Sequence, residues 1–299
     1  MQAEWIAVDW GTTHLRAFAM AGREVLAQAS SDQGMNTLAR SDFEAALLTL
    51  IADWLTTGRT TQVICCGMIG ARQGWVEAPY RSVPCRAGGG AMIRAQASDP
   101  RVNVHVLPGI SQANPSDVMR GEETQIAGFL ALNEGWDGVI CLPGTHSKWA
   151  HISAGEVISF QTFMTGELFA LLTDQSVLRH STSSAEWDND AFSQAISDTL
   201  SRPESLAARL FRLRASDLLN ATPSATARAQ LSGFLIGAEL AAARPYWLGQ
   251  QVTVIGADSL AKTYIKALEL QAIPATFAKA SAMTLAGLTA AHRTLETTA

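Results

Sequence analysis

The stretch EWIAVDWGTTHLRAFAM, residues 4–20, decides how the rest of the chain is read. Trp5 to Val8 form an apolar run that delivers Asp9. Trp10, Gly11, Thr12 and Thr13 follow, and a second apolar run leads from Leu15 to Met20. Two such runs joined by a short polar segment with a glycine predict a β-hairpin. Its tip holds a carboxylate, a glycine and two hydroxyls. With no Cβ on Gly11, a backbone N–H can approach a phosphate oxygen closely, and Thr12 and Thr13 add hydroxyl donors. Asp9, at the end of its strand, suits Mg²⁺, which takes carboxylates, waters and phosphates. An ordinary polar turn accounts for the same residues, because short motifs match by chance.

A second copy weighs toward phosphate. GVICLPGTHSKWAHI, residues 138–152, again runs an apolar strand into a Gly-Thr turn and out again. GTTHLRA at Gly11–Ala17 aligns with GTHSKWA at Gly144–Ala150, and QVICCGMIGA from Gln62 parallels QVTVIGADSLA from Gln251. The same elements in the same order predict two duplicated α/β domains. The expected division is 1–112 and 113–299, with a last helix over about 281–296 packing back on the first domain. Two Gly-Thr turns facing each other across an interdomain cleft would clamp a polyphosphate. The Gly144 and Thr145 amides are expected on phosphate oxygens. His146 and Ser147 would stand beside them as hydrogen-bonding neighbours, and Lys148 would add positive charge.

Composition excludes several classes. With 299 residues, 47% of them hydrophobic, the chain can bury a sizeable core and is not disordered. A net charge of −5 argues against a nucleic-acid partner, which needs a basic face. The sequence holds no apolar run of membrane-spanning length, and its start, with Asp9 inside the first strand, is unlike a signal peptide. Cys65, Cys66, Cys85 and Cys141 have no zinc-ligand spacing and read as free thiols, so the cytoplasm is the expected compartment.

The intervening segments supply further candidates. Ser41 and Glu44 have capping-box spacing at the start of a helix that should end at Gly58. The apolar strand Gln62–Met68 empties into GMIGARQGWVEAPY, residues 67–80, and ligands gather at such carboxyl ends in open α/β sheets. In that loop Arg72 could grip a carboxylate in a bidentate fork. Trp75 could stack on a carbon chain, with Gln73 and Glu77 as polar partners. Arg16, the loop residues Gln33, Gly34 and Met35, and Glu167 of FMTGE are further substrate candidates. Gly88–Gly90 lacks the Lys-Ser or Lys-Thr of a P-loop and reads as the approach to a helix. Pro108–Pro115 reads as the crossing between domains, and Asp117–Asn133 as one long helix bearing Glu122 and Glu123. Neighbouring glutamates on a helix point about 100° apart, so only one need face a ligand.

The blocks AVDWGTTHLRAF, GMIGARQGWVEAPY, RGEETQIAG, LPGTHSKW, FMTGE and GADSLAKTY together resemble the 2-dehydro-3-deoxygalactonokinase family. That family lies within the actin-like ATPase superfamily of sugar kinases, acetate kinases and exopolyphosphatases. The resemblance covers nearly the whole chain. It implies two ribonuclease-H-like domains, ATP with Mg²⁺, and phosphoryl transfer to O6 of 2-dehydro-3-deoxy-D-galactonate in galactonate breakdown. It also implies that Glu122, with Glu123 as neighbour, acts on the attacking hydroxyl, and that Gly256, Ala257 and Ser259 lie under adenosine. A homodimer is compatible with it. One departure stands out: the Asp expected before the second Gly-Thr turn is replaced by Leu142-Pro143. The alternatives on the same fold are another sugar-acid kinase, an exopolyphosphatase-like hydrolase, or a nucleotide-switched scaffold of the actin type.

Overall fold

The structure, a computed structural model, describes residues 2–298, with side chains described through residue 296. The chain divides into two compact units. One comprises Met1–Trp136, Ile152–Ser159 and Ala280–Ala299; the other comprises Asp137–His151 and Phe160–Lys279.

The first unit begins with an antiparallel run of β1 (Trp5–Trp10), β2 (Leu15–Ala21) and β3 (Glu24–Ser31). Helix α1 (Phe43–Ile51) leads to β4 (Thr61–Gly67). Then come β5 (Tyr80–Ser82), β6 (Cys85–Arg86), β7 (Ile93–Ala95), β8 (Val102–Val106), β9 (Gly109–Ala113), β10 (Ser116–Met119) and helix α2 (Glu122–Leu132). The main sheet has the order β3-β2-β1-β4-β8-β7, with β1, β4 and β8 parallel. Its central strands β1 and β4 are buried on both faces, so the side-chain period of two divides their residues between two cores. Ile6, Val8, Trp10, Val63 and Cys65 meet Phe43 and Leu47 of α1 on one face. Trp5, Ala7, Ile64 and Cys66 meet Leu288 of the last helix, α9 (Ala280–Thr298), on the other.

The second unit repeats the plan. Strands β11 (Gly138–Leu142), β12 (Ser147–Ser153) and β13 (Glu156–Phe163) precede helices α3 (Thr165–Asp174), α4 (Asn189–Ser201), α5 (Leu206–Asn220), α6 (Ser224–Ala242) and α7 (Arg244–Trp247). Strand β14 (Val252–Gly256), helix α8 (Asp258–Glu269) and β15 (Ala275–Lys279) complete it, and the strand order is β13-β12-β11-β14-β15. In both units a hairpin's first strand pairs in parallel with the strand that follows the helical segment. Trp5 lies opposite Gln62 in one, and Val139 opposite Val252 in the other. The echo between Gln62 and Gln251 in the sequence is therefore an echo of topology. The turn end of the β12–β13 hairpin, Ile152–Ser159, groups with the first unit, where Glu156 and Val157 pair with Arg86 and Cys85.

Several expectations are corrected. Compactness places 113–136 with the first unit rather than beyond a boundary at residue 112. Pro108–Pro115 is not a crossing: it holds β9, the centre of a three-stranded sheet ordered β10-β9-β5. Residues 116–119 are strand, and the predicted long helix starts only at Glu122, because Gly121 has φ +108°, outside the helical region. Gly88–Gly90 leads to a strand, β7, rather than a helix. Glu44 does not cap its helix; its Oε1 accepts from the Ser98 and Asp99 amides at 2.7 and 2.8 Å. No helix among the described residues is long and apolar enough to cross a membrane.

Candidate active site

The first Gly-Thr turn is held from behind. The Gly34, Met35 and Asn36 amides donate to the Thr13, Gly11 and Thr12 carbonyls at 3.2, 3.1 and 3.0 Å. Trp10 Nε1 donates to the Gln33 carbonyl at 3.0 Å. The carbonyls of the tip are thus turned into the chain. The Thr12 and Thr13 amides and hydroxyls have no partner among the described residues, and both residues are exposed. Two expectations change. The Gly11 amide is engaged within the turn, donating to the His14 carbonyl at 2.8 Å, so it does not face a ligand. Gln33, Gly34 and Met35, expected at the substrate, instead brace the hairpin with their backbone. Gly34 is required there, since a Cβ would lie 2.3 Å from the Thr13 carbonyl carbon.

Asp9 and the glutamates of α2 come together at the carboxyl ends of β1 and β4. Asp9 pairs with Cys66 across the strands, and a Cβ on Gly121 would stand 3.5 Å from Gly67 Cα, so the start of α2 lies against the end of β4. Asp9 Oδ2 accepts from Arg16 Nη2 at 2.9 Å, and the Cys66 thiol lies 3.9 Å from Oδ1. Arg16, expected at the substrate, is therefore bound to the proposed metal carboxylate. Burial pushes the Asp9 carboxyl above its ordinary range, and Arg16 offsets part of that rise. Asp9 and Glu123 both raise the Cys66 thiol further, which places the two carboxylates around one sulfur.

The two glutamates differ in setting. Glu122 is half-buried, and its Oε2 accepts from the Arg120 amide at 3.1 Å. Glu123 is only 2% exposed; it accepts from the Gly121 amide at 2.6 Å and from the Thr124 hydroxyl at 2.9 Å. Burial, reinforced by Glu122, pushes its carboxyl from 4.5 up to about 7. A measurable consequence follows. Below pH 4.5 Glu123 is protonated in both the folded and unfolded chains. Between pH 4.5 and about 7 the unfolded chain gives up this proton while the fold keeps it, so stability falls by about 3 kcal/mol across that window and no further above it. Glu123→Gln keeps the shape, turning its oxygen to the Gly121 amide and its NH₂ to the Thr124 hydroxyl. The variant should melt well above the parent at pH 8 and alongside it at pH 4. Thermal melts across that range check this, and a gap that does not widen with pH would refute it.

The loop 67–80 is compact. Arg40, which sequence reasoning missed, donates Nε to the Gly74 carbonyl at 3.0 Å and Nη2 to the Arg72 carbonyl. Arg72 itself is 81% exposed and 3.6 Å from Glu77, so its guanidinium reaches solvent, as do Gln73 and Glu77. Trp75 packs half-buried on the core of the first unit, leaving only part of the indole for the stacking role expected of it.

The second hairpin has its own brace. The Glu167 amide donates to the Thr145 carbonyl at 2.9 Å, and a Cβ on Gly166 would fall 2.2 Å from the Gly144 carbonyl oxygen. Gly34 and Gly166 follow their hairpins at nearly the same distance along the chain, a second mark of the duplication. The Glu167 carboxylate, expected at the substrate, instead lies 2.6 Å from His146 Nε2. Ser147, expected at a phosphate, is fully buried, with Oγ 2.9 Å from the Tyr264 hydroxyl. Lys148 is 4% exposed, and its Nζ donates to the His146 carbonyl at 3.2 Å.

Beside this hairpin the second unit carries a solvent-open cavity of about 760 Å³. Gly144, Thr165 and Gly166 form its hairpin end, and Ser259, Thr263 and Tyr264 of α8 form one wall. Gly256 and Ala257 lead into that wall without lining the cavity. Sequence reasoning missed Trp187, Asn189, Arg228, Lys262 and Lys266, which also line it. A Cβ on Gly144 would meet nothing in the chain within 4 Å, so packing does not demand a glycine there.

The sequence profile described as 2-keto-3-deoxy-galactonokinase matches residues 9–291. The chain belongs to the 2-keto-3-deoxy-galactonokinase family. A curated relative from Rhizobium meliloti (strain 1021), named "Probable 2-dehydro-3-deoxygalactonokinase", is 38% identical over 97% of both chains. The 2-dehydro-3-deoxygalactonokinase of Escherichia coli (strain K12) is 36% identical over 90% of both. A crystal structure from Sinorhizobium meliloti, provisionally named as the same kinase, superposes with TM-score 0.90 at 37% identity, covering 97% of this chain and 99% of that one. At 14% identity, component A of the (R)-2-hydroxyglutaryl-CoA dehydratase of Acidaminococcus fermentans still reaches 0.52, a likeness of fold alone. The fold is that of the actin-like ATPases and sugar kinases, as the repeated sheet order already indicates.

As a member of the 2-keto-3-deoxy-galactonokinase family the chain uses ATP, and such chemistry raises the question of a metal. Among the described residues no three His, Cys, Asp or Glu side chains gather as a protein-built cage. Mg²⁺ does not need one: it keeps several waters and binds through one or two carboxylates plus substrate phosphates. Asp9, at the mouth of a turn with unpartnered amides, fits that pattern.

Proposed function

We propose that this chain transfers the γ-phosphoryl group of ATP to O6 of 2-dehydro-3-deoxy-D-galactonate, giving the 6-phosphate. The observation that carries the reading is the repeated braced Gly-Thr hairpin, with Asp9 and Glu122 beside the first copy and a nucleotide-sized cavity beside the second. Phosphoryl transfer depends on positioning and charge neutralisation more than on covalent chemistry. The Thr12 and Thr13 amides and hydroxyls bind phosphate oxygens, and so do the backbone groups of Gly144 and Thr145. Lys148 offsets charge that develops on them. Asp9 holds Mg²⁺, which supplies neutralisation of the phosphate oxygens when bound. Glu122, the more accessible glutamate, orients the O6 hydroxyl and accepts its proton; Glu123 stands behind it, fixing the first turn of α2. Arg72 takes the substrate carboxylate. The cavity of the second unit takes adenosine, with Ser259 and Thr263 at one wall and Trp187 at another.

An ADP-release assay over a panel of sugar acids tests this. ADP should form with 2-dehydro-3-deoxy-D-galactonate, far more slowly with other sugar acids, and at background without an acceptor. ADP release that needs no acceptor would make the chain a hydrolase.

A further inference from the structure

Glu239 lies in the last turn of α6 and is 3% exposed. Its Oε1 accepts from Trp149 Nε1 and its Oε2 from the Tyr264 hydroxyl, both at 2.8 Å. The hydroxyls of Thr165 and Ser147 also bond to it. The Ser147 and Tyr264 hydroxyls lie 2.9 Å apart, and since Tyr264 spends its proton on Glu239, the single Ser147 proton is shared between Tyr264 and the carboxyl. The four partners come from three elements: Ser147 and Trp149 open β12, Thr165 opens α3, and Tyr264 sits in α8. Thr165 and Tyr264 line the cavity of the second unit, and Ser147 follows Gly144–His146 directly. Burial raises the Glu239 carboxyl above its ordinary range, and the four hydrogen bonds pull it back down; whichever form it takes, its two oxygens offer more acceptor sites than the single oxygen of an amide.

Burying an acid costs stability, as the raised Glu239 carboxyl shows, and an apolar side chain of the same volume would not carry that cost. What the network does accomplish is mechanical. It ties the base of the second Gly-Thr hairpin, the first turn of its brace helix α3 and the cavity wall α8 to one point.

We propose that Glu239 is a positioning residue for the nucleotide, holding the second phosphate hairpin and the wall of its cavity as one preorganised unit. It rests on the reading that this cavity takes ATP. Glu239 does not replace in kind the strand-end carboxylate that Leu142-Pro143 lacks, because it is sealed behind the hairpin rather than presented at its mouth. It gives the second hairpin rigidity, and leaves the metal to Asp9.

The test uses Glu239→Gln, Tyr264→Phe and the double variant, with ATP binding measured by calorimetry without acceptor and steady-state kinetics measured alongside thermal melts. Glu239→Gln turns one of two acceptor oxygens into a donor, and Tyr264→Phe removes the hydroxyl that donates to Oε2, so each breaks the network and ATP affinity and KM for ATP should weaken about 10-fold or more. The KM for the sugar acid should stay within about threefold, since that site is not touched. The double variant should be little worse than the worse single one, because both act through one network. Unchanged ATP affinity in both single variants, or a lowered melting temperature with KM for ATP intact, would overturn the proposal; so would simple additivity. Should Glu239→Gln fail to fold, Tyr264→Phe decides alone by the same criteria. A parent chain that binds no ATP would sink the functional reading, and this proposal with it. A parent that binds ATP alongside variants that bind it equally well would sink the positioning role only.

Discussion

Replacing Asp9 by Asn should lower kcat by about a thousandfold or more, the scale seen when a group that neutralises transition-state charge is removed, while the chain stays folded and still binds ATP. The expectation rests on what the substitution keeps and what it removes. Asn retains an oxygen for Arg16 Nη2, now 2.9 Å from Oδ2, and its NH₂ can face the Cys66 sulfur, 3.9 Å from Oδ1. It removes the charge that would hold Mg²⁺. Burial raises the Asp9 carboxyl above its ordinary range, so ionising it in the fold lowers stability as the pH rises. Asn carries no such penalty and should melt at the parent temperature or above it at neutral pH. Loss of turnover with unimpaired melting and ATP binding identifies a chemical role. Loss of all three would mean that Asp9 serves mainly to hold Arg16 and the hairpin. Full activity would remove the carboxylate from the mechanism altogether.

Much of this was legible because the decisive signals are local. An apolar strand, an acid and a Gly-Thr turn follow closely on one another, and the second copy repeats the strand and the turn without the acid, so both hairpins and the duplicated sheet could be read from the chain. What escaped depends on contacts that only the fold creates. Gly34 and Gly166 look like ordinary loop and helix-start glycines until a backbone from far upstream is laid against them. Gln33 and Met35 are substrate candidates by sequence, and only the fold shows that their backbone groups hold the hairpin. Ser147 and Lys148 are adjacent on β12, and the period of two turns Ser147 toward α8, where it meets Tyr264. Residue type alone does not separate Glu122 from Glu123; the fold buries Glu123 and leaves Glu122 half-exposed. The cavity was hidden for a different reason. Its lining is spread over several helices whose apolar stripes read, correctly for most positions, as core.

Gly34→Ala should disable the enzyme through the brace rather than through any ligand contact. Its Cβ would stand 2.3 Å from the Thr13 carbonyl carbon and 2.4 Å from Thr13 Cα and the Thr12 carbonyl oxygen, all backbone atoms that cannot swing aside. The 33–36 loop must then retreat and give up the three amide bonds to Gly11, Thr12 and Thr13. Three such bonds and the overpacking together amount to about 4 kcal/mol, enough to lower the melting temperature by several degrees. A phosphate turn no longer fixed should also cost about a hundredfold or more in kcat/KM, since misplacement by an ångström is penalised on that scale. Gly166→Ala should behave alike, with 2.2 Å between its Cβ and the Gly144 carbonyl oxygen. Gly144→Ala separates brace from contact. Its backbone is not left-handed and its Cβ would meet no atom of the chain within 4 Å, so the fold should be untouched. Yet the methyl would enter the space where phosphate oxygens are proposed to lie, and KM for ATP should rise. If Gly144→Ala instead melts early, or leaves KM for ATP unchanged, the second hairpin does not bind phosphate through Gly144; if Gly34→Ala melts and turns over like the parent, the brace does not govern the first.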